Sequence, residues 1–294
     1  MKDQFVIACV ESPESAAVVL PWARHFAERL NHKGLMALHV SSSKQRDDEW
    51  LKALGVPYVS MCGDWATAIE GLPTAFKGIL AVTAVNPEAP RSSLTHPKTL
   101  LREFRNCKTA YLCVSSEVGG RRSELCDASA NSELRIRSEV GGRRSELCDA
   151  SANSELRIPN SALTMTHRRE GKELLVWASY LARFLDSRIT IAAPYYKDAG
   201  LWKKLANNLH FAEKLFDSLN IDLYRNMLHT TVNTDLATLD ELHPDLLIAR
   251  TTDPRDRDLV DLLLPLPELR LLTHPSHTPL LFLNPRDDLY ILCD

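Results

Sequence analysis

The sequence predicts an α/β protein of two tandem five-stranded parallel-sheet domains, and three observations predict it. Short apolar runs alternate with amphipathic stretches along most of the chain, the pattern of right-handed βαβ crossovers beneath a parallel sheet. The segment Trp22-Ala23-Arg24-His25-Phe26-Ala27-Glu28-Arg29-Leu30 is echoed by Trp177-Ala178-Ser179-Tyr180-Leu181-Ala182-Arg183-Phe184-Leu185, each copy following an apolar run. The two tryptophans lie 155 positions apart, 44 of them in the segment 116–159, which leaves a period near 111. That is the length of one five-stranded α/β domain.

Phe5 to Val10 is apolar throughout, as a strand covered on both faces must be. Ser12 and Ser15 are placed to cap the helix that follows, Pro13 suits its first turn, and Ala16, Leu20, Ala23, Ala27 and Leu30 form one stripe. Gly34 to Val40 reads as the second strand and Lys44 to Leu54 as a short charged helix around Trp50. Val56 to Met61 reads as the third strand. Ala66, Ile69, Leu72 and Phe76 give the next helix its apolar face, with Pro73 set to kink or end it. Ile79 to Val85 is the fourth strand, Leu94 to Phe104 a helix, and Thr109 to Val114 the fifth strand.

The second half repeats this order. Ala162 to Thr166 is its first apolar run, and the Trp177 helix follows. Ile189 to Ala193 is the next strand, and Leu201 to Leu219 a long amphipathic helix. Ile221 to Leu228 and Asp245 to Ala249 read as strands on either side of a short helix at Leu236 to Leu242. Leu259 to Leu272 reads as the last helix and Leu280 to Leu283 as the last strand. The apolar final strands of the two halves, Tyr111 to Val114 and Leu280 to Leu283, would each leave a sheet edge in need of cover.

The chain has 294 residues, 45% hydrophobic and 25% charged, which is ordinary globular composition and a prior for two domains. A net charge of −3 and a pI near 6.4 exclude a dominant nucleic-acid backbone grip. No apolar run approaches the length of about 20 residues that spans a bilayer. The opening MKDQFVIACVESPES carries an acid and has no small-residue cleavage site, so a cytoplasmic location is expected. Seven cysteines are scattered without a CxxC pair or a His/Cys cluster, so no metal site is expected.

Between the halves, Ser116 to Ile136 recurs letter for letter at Ser138 to Ile158, a period of 22. Two units with so few apolar side chains fall short of a solenoid. The reading is a flexible insertion or linker over 116–159, dividing domain 1 (1–115) from domain 2 (160–294).

The stretch VIACVESPESAAVVLPWARHFAERLNHKGLMALHV resembles the opening βαβ unit of the universal stress protein family: a strand, an acidic residue, a serine-rich turn, a W-A helix and a second strand ending in L-H-V. The resemblance covers most of 1–115 and, more weakly, 160–294, as in members that carry two such domains, and it implies that the final strands are covered by pairing between the two domains, a pseudo-dimer, or between chains in a homodimer. It implies an adenine-nucleotide-hydrolase-like α/β fold in a family divided between ATP-binding and non-binding members. In the binding members an aspartate ends the first strand. Glu11 stands there in the first half and Thr166 in the second, and Val40 matches at the end of the second strand, so the resemblance implies a residual adenine crevice at Glu11 and Val40.

The family's phosphate loop, G-x-x-G and later G with Ser or Thr, is missing from both halves. After Val85 the chain reads NPEAPRSSLTHPKTLL, and after Ala249 it reads RTTDPRDRDLVDLLLPLP, neither with a glycine. Proline supplies no N–H, and Asp253, Asp256 and Asp258 would repel a triphosphate. G-x-S-x-G, GxGxxG and Walker sequences are absent. His96, His243, His274 and His277 lie in proline-rich loops without a carboxylate pair, so no catalytic residue is assigned. The expectation is a non-enzymatic cytoplasmic stress-response protein acting by binding or scaffolding, with a regulatory protein as partner and no bound cofactor. The alternative is an ATP- or other adenine-ligand-binding protein with weak hydrolase activity.

Overall fold

The computed structural model describes residues 4–30, 33–41, 49–72, 77–105, 107–116, 156–167, 172–228, 234–251, 267–276 and 278–284. The first half runs β1 (Gln4–Val10), α1 (Pro13–Arg29), β2 (Gly34–Ser41), α2 (Glu49–Lys52), β3 (Tyr58–Cys62), α3 (Trp65–Glu70), β4 (Lys77–Val85), α4 (Pro97–Phe104) and β5 (Ala110–Ser115). The second runs β6 (Asn160–Thr164), α5 (Lys172–Leu185), β7 (Arg188–Pro194), α6 (Ala199–Ser218), β8 (Leu223–Leu228), α7 (Thr234–Leu242), β9 (Leu246–Arg250), α8 (Pro267–Leu272) and β10 (Leu280–Leu283).

The ten strands among the described residues form one sheet in the order β3-β2-β1-β4-β5-β10-β9-β6-β7-β8. From either edge inward, the strands are the third, second, first, fourth and fifth of their half, a pseudo-twofold relation. Every neighbouring pair is parallel except β5 and β10, which run antiparallel with Leu112 opposite Leu281 and Tyr111 opposite Phe282. The final strands do cover each other's edges, and they do so within one chain.

Each strand near the middle is apolar on both faces because helices cover both. Val6, Ala8 and Val10 pack under α1, with α5 and α6 covering the second half of that face. Ile7 and Cys9 face the other way, toward α3 and α4, with α7 and α8 completing that layer. Both cores run across the junction: Leu112 and Leu281 lie in one, Tyr111 and Phe282 in the other.

Several element bounds differ from the sequence reading for local reasons. The helix expected from Leu94 begins at Pro97, because His96 caps it by accepting from Lys98 N and proline takes the first helical position. The helix expected over 65–76 ends at Glu70, with Gly71 as its cap, and 73–76 lie outside the described residues. Of the charged helix expected at 44–54, one turn is seen at 49–52, and 42–48 lie outside the described residues.

The insertion 116–159 was expected to lie apart from both cores. Its last residues do not: Ile158 is buried among the helix-covered residues of the second half, and Arg188 N donates to the Pro159 carbonyl. An apolar side chain at the mouth of β6 has a core to enter. Residues 117–155, where mobility was expected, lie outside the described residues.

Asp64 caps α3 by accepting from Thr67 N at 2.8 Å and from the Thr67 hydroxyl at 2.9 Å. The amide bond above all holds its carboxyl below the usual value of 3.8. A lowered folded-state pKa contributes stability above the unfolded value and loses it as pH falls through the folded one. Asp64→Ala is therefore expected to cost about 0.5–2 kcal/mol at pH 7. The gap to the parent in urea titrations should close below pH 3.8.

Candidate functional site

In an open parallel sheet, ligands enter the crevice at the carboxyl ends of strands, where the strand order reverses. Here the chain leaves β1 for β2 and β3 on one side, then crosses back to β4 on the other, so the first reversal lies between β1 and β4. Its counterpart lies between β6 and β9. Glu11 follows directly on β1 and stands at the first of these points.

The serine turn at 11–15 orients it. Ser15 Oγ accepts from the Glu11 and Ser12 amides, each at 2.9 Å, and Ser12 Oγ accepts from Ser15 N at 3.3 Å, a capping box with serine in place of glutamate. With its backbone held there, Glu11 projects its carboxylate across to the loop after β4. Oε2 accepts from the Ser93 hydroxyl at 2.7 Å and from Leu94 N at 3.1 Å. Since the single Ser93 proton goes to Glu11, its oxygen is left to accept from the Thr95 hydroxyl at 2.8 Å and Thr95 N at 3.1 Å. The beginning of the crevice is bridged by the protein's own groups.

The loop 86–96 also consumes most of its own donors. Glu88 N bonds Asn86 Oδ1, Ala89 N bonds the Asn86 carbonyl, Ser93 N bonds Pro90 O, and His96 N bonds Ser93 O. Asn86 N bonds Thr95 O and closes the base of the loop. Pro87 and Pro90 offer no N–H. A row of free amides aimed at one point, which a phosphate requires, is not what these residues form.

Val40 is 1% exposed and packs with Met36, Leu38 and Trp65 in the core on the α3 and α4 side. Strand register sets Val10 beside His39, so Glu11 follows at the level of Val40. His39 Nδ1 donates to Val10 O at 2.9 Å, fixing the two strand ends to each other. Structure thus brings Glu11 and Val40 to adjacent strand ends, one at the crevice and one beneath it.

In the second half, Thr166 has no carboxylate, and its carbonyl accepts from Asn208 Nδ2 at 2.9 Å. His167 and Tyr196 meet edge to face, ring centroids 5.0 Å apart, over the ends of β6 and β7. Asp253, Pro254, Asp256 and Asp258 lie outside the described residues, so the charge expected to repel a triphosphate there has no described geometry.

The histidines serve local ends. His96 caps α4, and His274 faces Asp240 at 3.4 Å while its Nδ1 accepts from Ser276 N. His243 has a positive φ of 42° just after α7, and His277 lies outside the described residues. Among the described residues no group of three or more His, Cys, Asp or Glu converges as a metal site. Two clefts form elsewhere: one of about 290 Å³ bounded by Arg24, Glu28 and Lys33, and one of about 390 Å³ bounded by His210, Glu213, Asp217 and Arg225. Neither includes Glu11 or Val40. No described helix is long and apolar enough to cross a membrane.

The sequence reading missed Ser93 and Leu94 as partners of Glu11. A signal for them was present in T-H-P, since a proline at the first helical position moves the helix start past Leu94 and leaves 93–94 in the loop.

No protein-family model matches this sequence, and no curated protein matches it. The structure is similar to that of a universal stress protein from Archaeoglobus fulgidus DSM 4304, at 11% identity over 96% of this chain and 97% of that one, with a TM-score of 0.57. It is also similar to a functionally unknown protein from Pseudomonas aeruginosa PAO1, at 13% identity over 96% and 92% of the two chains, with a TM-score of 0.53. These likenesses are of fold: a Rossmann-like α/β architecture on a large, mostly parallel sheet, shared along nearly the whole chain. The fold is that of the universal stress proteins.

Proposed function

We propose that this chain is a non-enzymatic regulatory protein of the stress-response type, which acts by binding or scaffolding and whose adenine crevice has been closed by its own side chains. The observation that supports this reading most directly is the pair of bonds from Ser93 and Leu94 to Glu11. A nucleotide at the first switch point would have to break both and would meet a loop in which the amides of Asn86, Glu88, Ala89, Ser93, Leu94, Thr95 and His96 are already bonded within the protein. Its phosphates would lack the donors that offset their desolvation.

The reading extends to a cytoplasmic protein that carries no cofactor and recognises a regulatory protein partner. The two halves pair as a pseudo-dimer through β5 and β10, and a homodimer would form through surfaces other than these strands. Glu11 and Val40 are the residual elements of the crevice. Their retention also favours the second reading, a weak binder of adenine-containing ligands.

Calorimetry with ATP and with adenosine, each with and without magnesium, separates the two. The expected result is weak binding with no preference for ATP over adenosine. A micromolar or tighter ATP constant that Glu11→Ala abolishes would move the protein to the nucleotide-binding class.

A further inference from the structure

We propose that the contact of Ser93 and Leu94 with Glu11 is an autoinhibitory latch, in which the loop 86–96 holds the carboxylate that a ribose-like polyol would otherwise engage. This rests on reading the first switch point as a ligand crevice.

The chemistry of the contact carries the inference. A hydroxyl and an amide converge on one carboxylate oxygen, Glu11 Oε2, at 2.7 and 3.1 Å. Among the described residues the other oxygen, Oε1, accepts no hydrogen bond, although the side chain is half-buried. A partly desolvated carboxylate with one oxygen engaged and one open can take two hydroxyls of a vicinal diol, and a carboxylate at the end of a parallel strand is placed to do so. The Ser93 hydroxyl imitates the first of them.

The loop is also built to carry that hydroxyl as a unit. Its base is closed by Asn86 N on Thr95 O, and Ser93 is aimed by two bonds from Thr95. Thr99 Oγ1 bonds Arg91 O at 2.7 Å and ties the loop to the first turn of α4. Across the crevice, by contrast, its hydrogen bonds to the serine turn are the two to Glu11. Releasing those two frees the carboxylate without dismantling the loop. Glu11 is thus the point where ligand and loop compete.

The experiment uses the full chain, adenosine as probe, and hydrogen–deuterium exchange over 86–96. Ser93→Ala is expected to speed exchange in that segment and to tighten adenosine binding about 10- to 100-fold, the value of one hydrogen bond to a charged group. Thr95→Val, which removes one of the bonds that aim the Ser93 hydroxyl, should shift both readouts in the same direction by less. Glu11→Ala, which removes the acceptor of both bonds, should speed exchange at least as much but gain no affinity for adenosine, because the group that would engage the polyol is lost. Unchanged exchange in Ser93→Ala would show that the contact does not hold the loop. Faster exchange without tighter adenosine binding would show that the latch excludes no polyol. Either result overturns the proposal. Tight ATP binding by the parent chain would overturn the regulatory reading instead, and the exchange experiment tells the two failures apart.

Discussion

Phe282→Ala is expected to destabilise the protein by about 3–5 kcal/mol, the range for removing a fully buried phenylalanine. Phe282 is 0% exposed, and its ring lies 5.4 Å from that of Tyr111 in the other half, which in turn lies 4.9 Å from Phe104. This aromatic row crosses the one antiparallel joint of the sheet. A cavity there removes contacts from both halves, so exchange should accelerate in 110–115 as well as in 280–283. Protection lost in the second half alone would show that the halves are stabilised independently. Tyr111→Phe is the matching control. The Tyr111 hydroxyl is buried with no hydrogen-bond partner among the described residues, and burial above all pushes its pKa well up. Deleting it keeps the ring and removes an unsatisfied polar group, so stability in urea should hold or rise by about 1 kcal/mol.

The second large effect is expected at Asn284, at the end of β10. Its Nδ2 donates to the carbonyls of Phe104 and Cys107, at 2.7 and 2.5 Å, and its Oδ1 accepts from the Thr251 hydroxyl at 2.7 Å. Phe104 is the last residue of α4, whose final carbonyls have no intrahelical partners, and Cys107 lies just past its cap, Arg105. One side chain of the second half therefore satisfies the end of a helix in the first. Asn284→Ala removes all three bonds from a buried cluster, each worth about 0.5–1.5 kcal/mol, while Phe104 O keeps the Cys107 amide at 2.9 Å and the Thr251 hydroxyl keeps Leu283 O at 3.4 Å. A loss of at least about 2 kcal/mol in equilibrium unfolding is expected. Asn284→Asp should fare no better, since a carboxylate cannot donate to the two carbonyls. A change within about 0.5 kcal/mol would mean that water enters and replaces the amide.

Much of the fold was legible because burial leaves a periodic trace. Val6 to Val10 is apolar at every position because helices cover both faces of β1, and the Trp22 and Trp177 stripes mark helices with one buried side. The strands that needed cover, Tyr111 to Val114 and Leu280 to Leu283, could be named in advance as edges that would otherwise stay open. Helix ends were read less well, since single hydrogen bonds set them. His96 and Pro97 start α4 three residues after Leu94, whose amide is committed to Glu11.

What the sequence by itself determined is therefore the inventory: two halves of five strands, the helices between them, and a carboxylate where each first strand ends or, at Thr166, its lack. Tertiary structure alone decided how these parts meet. It set the antiparallel sense of β5 against β10, which joins two sheets into one, and it brought Asn284 beneath α4. It also placed Ser93 on Glu11, 82 positions away. Apolar burial repeats with the period of its element and so shows in sequence. A hydrogen bond between two single side chains on separate loops has no period, and only the folded chain displays it.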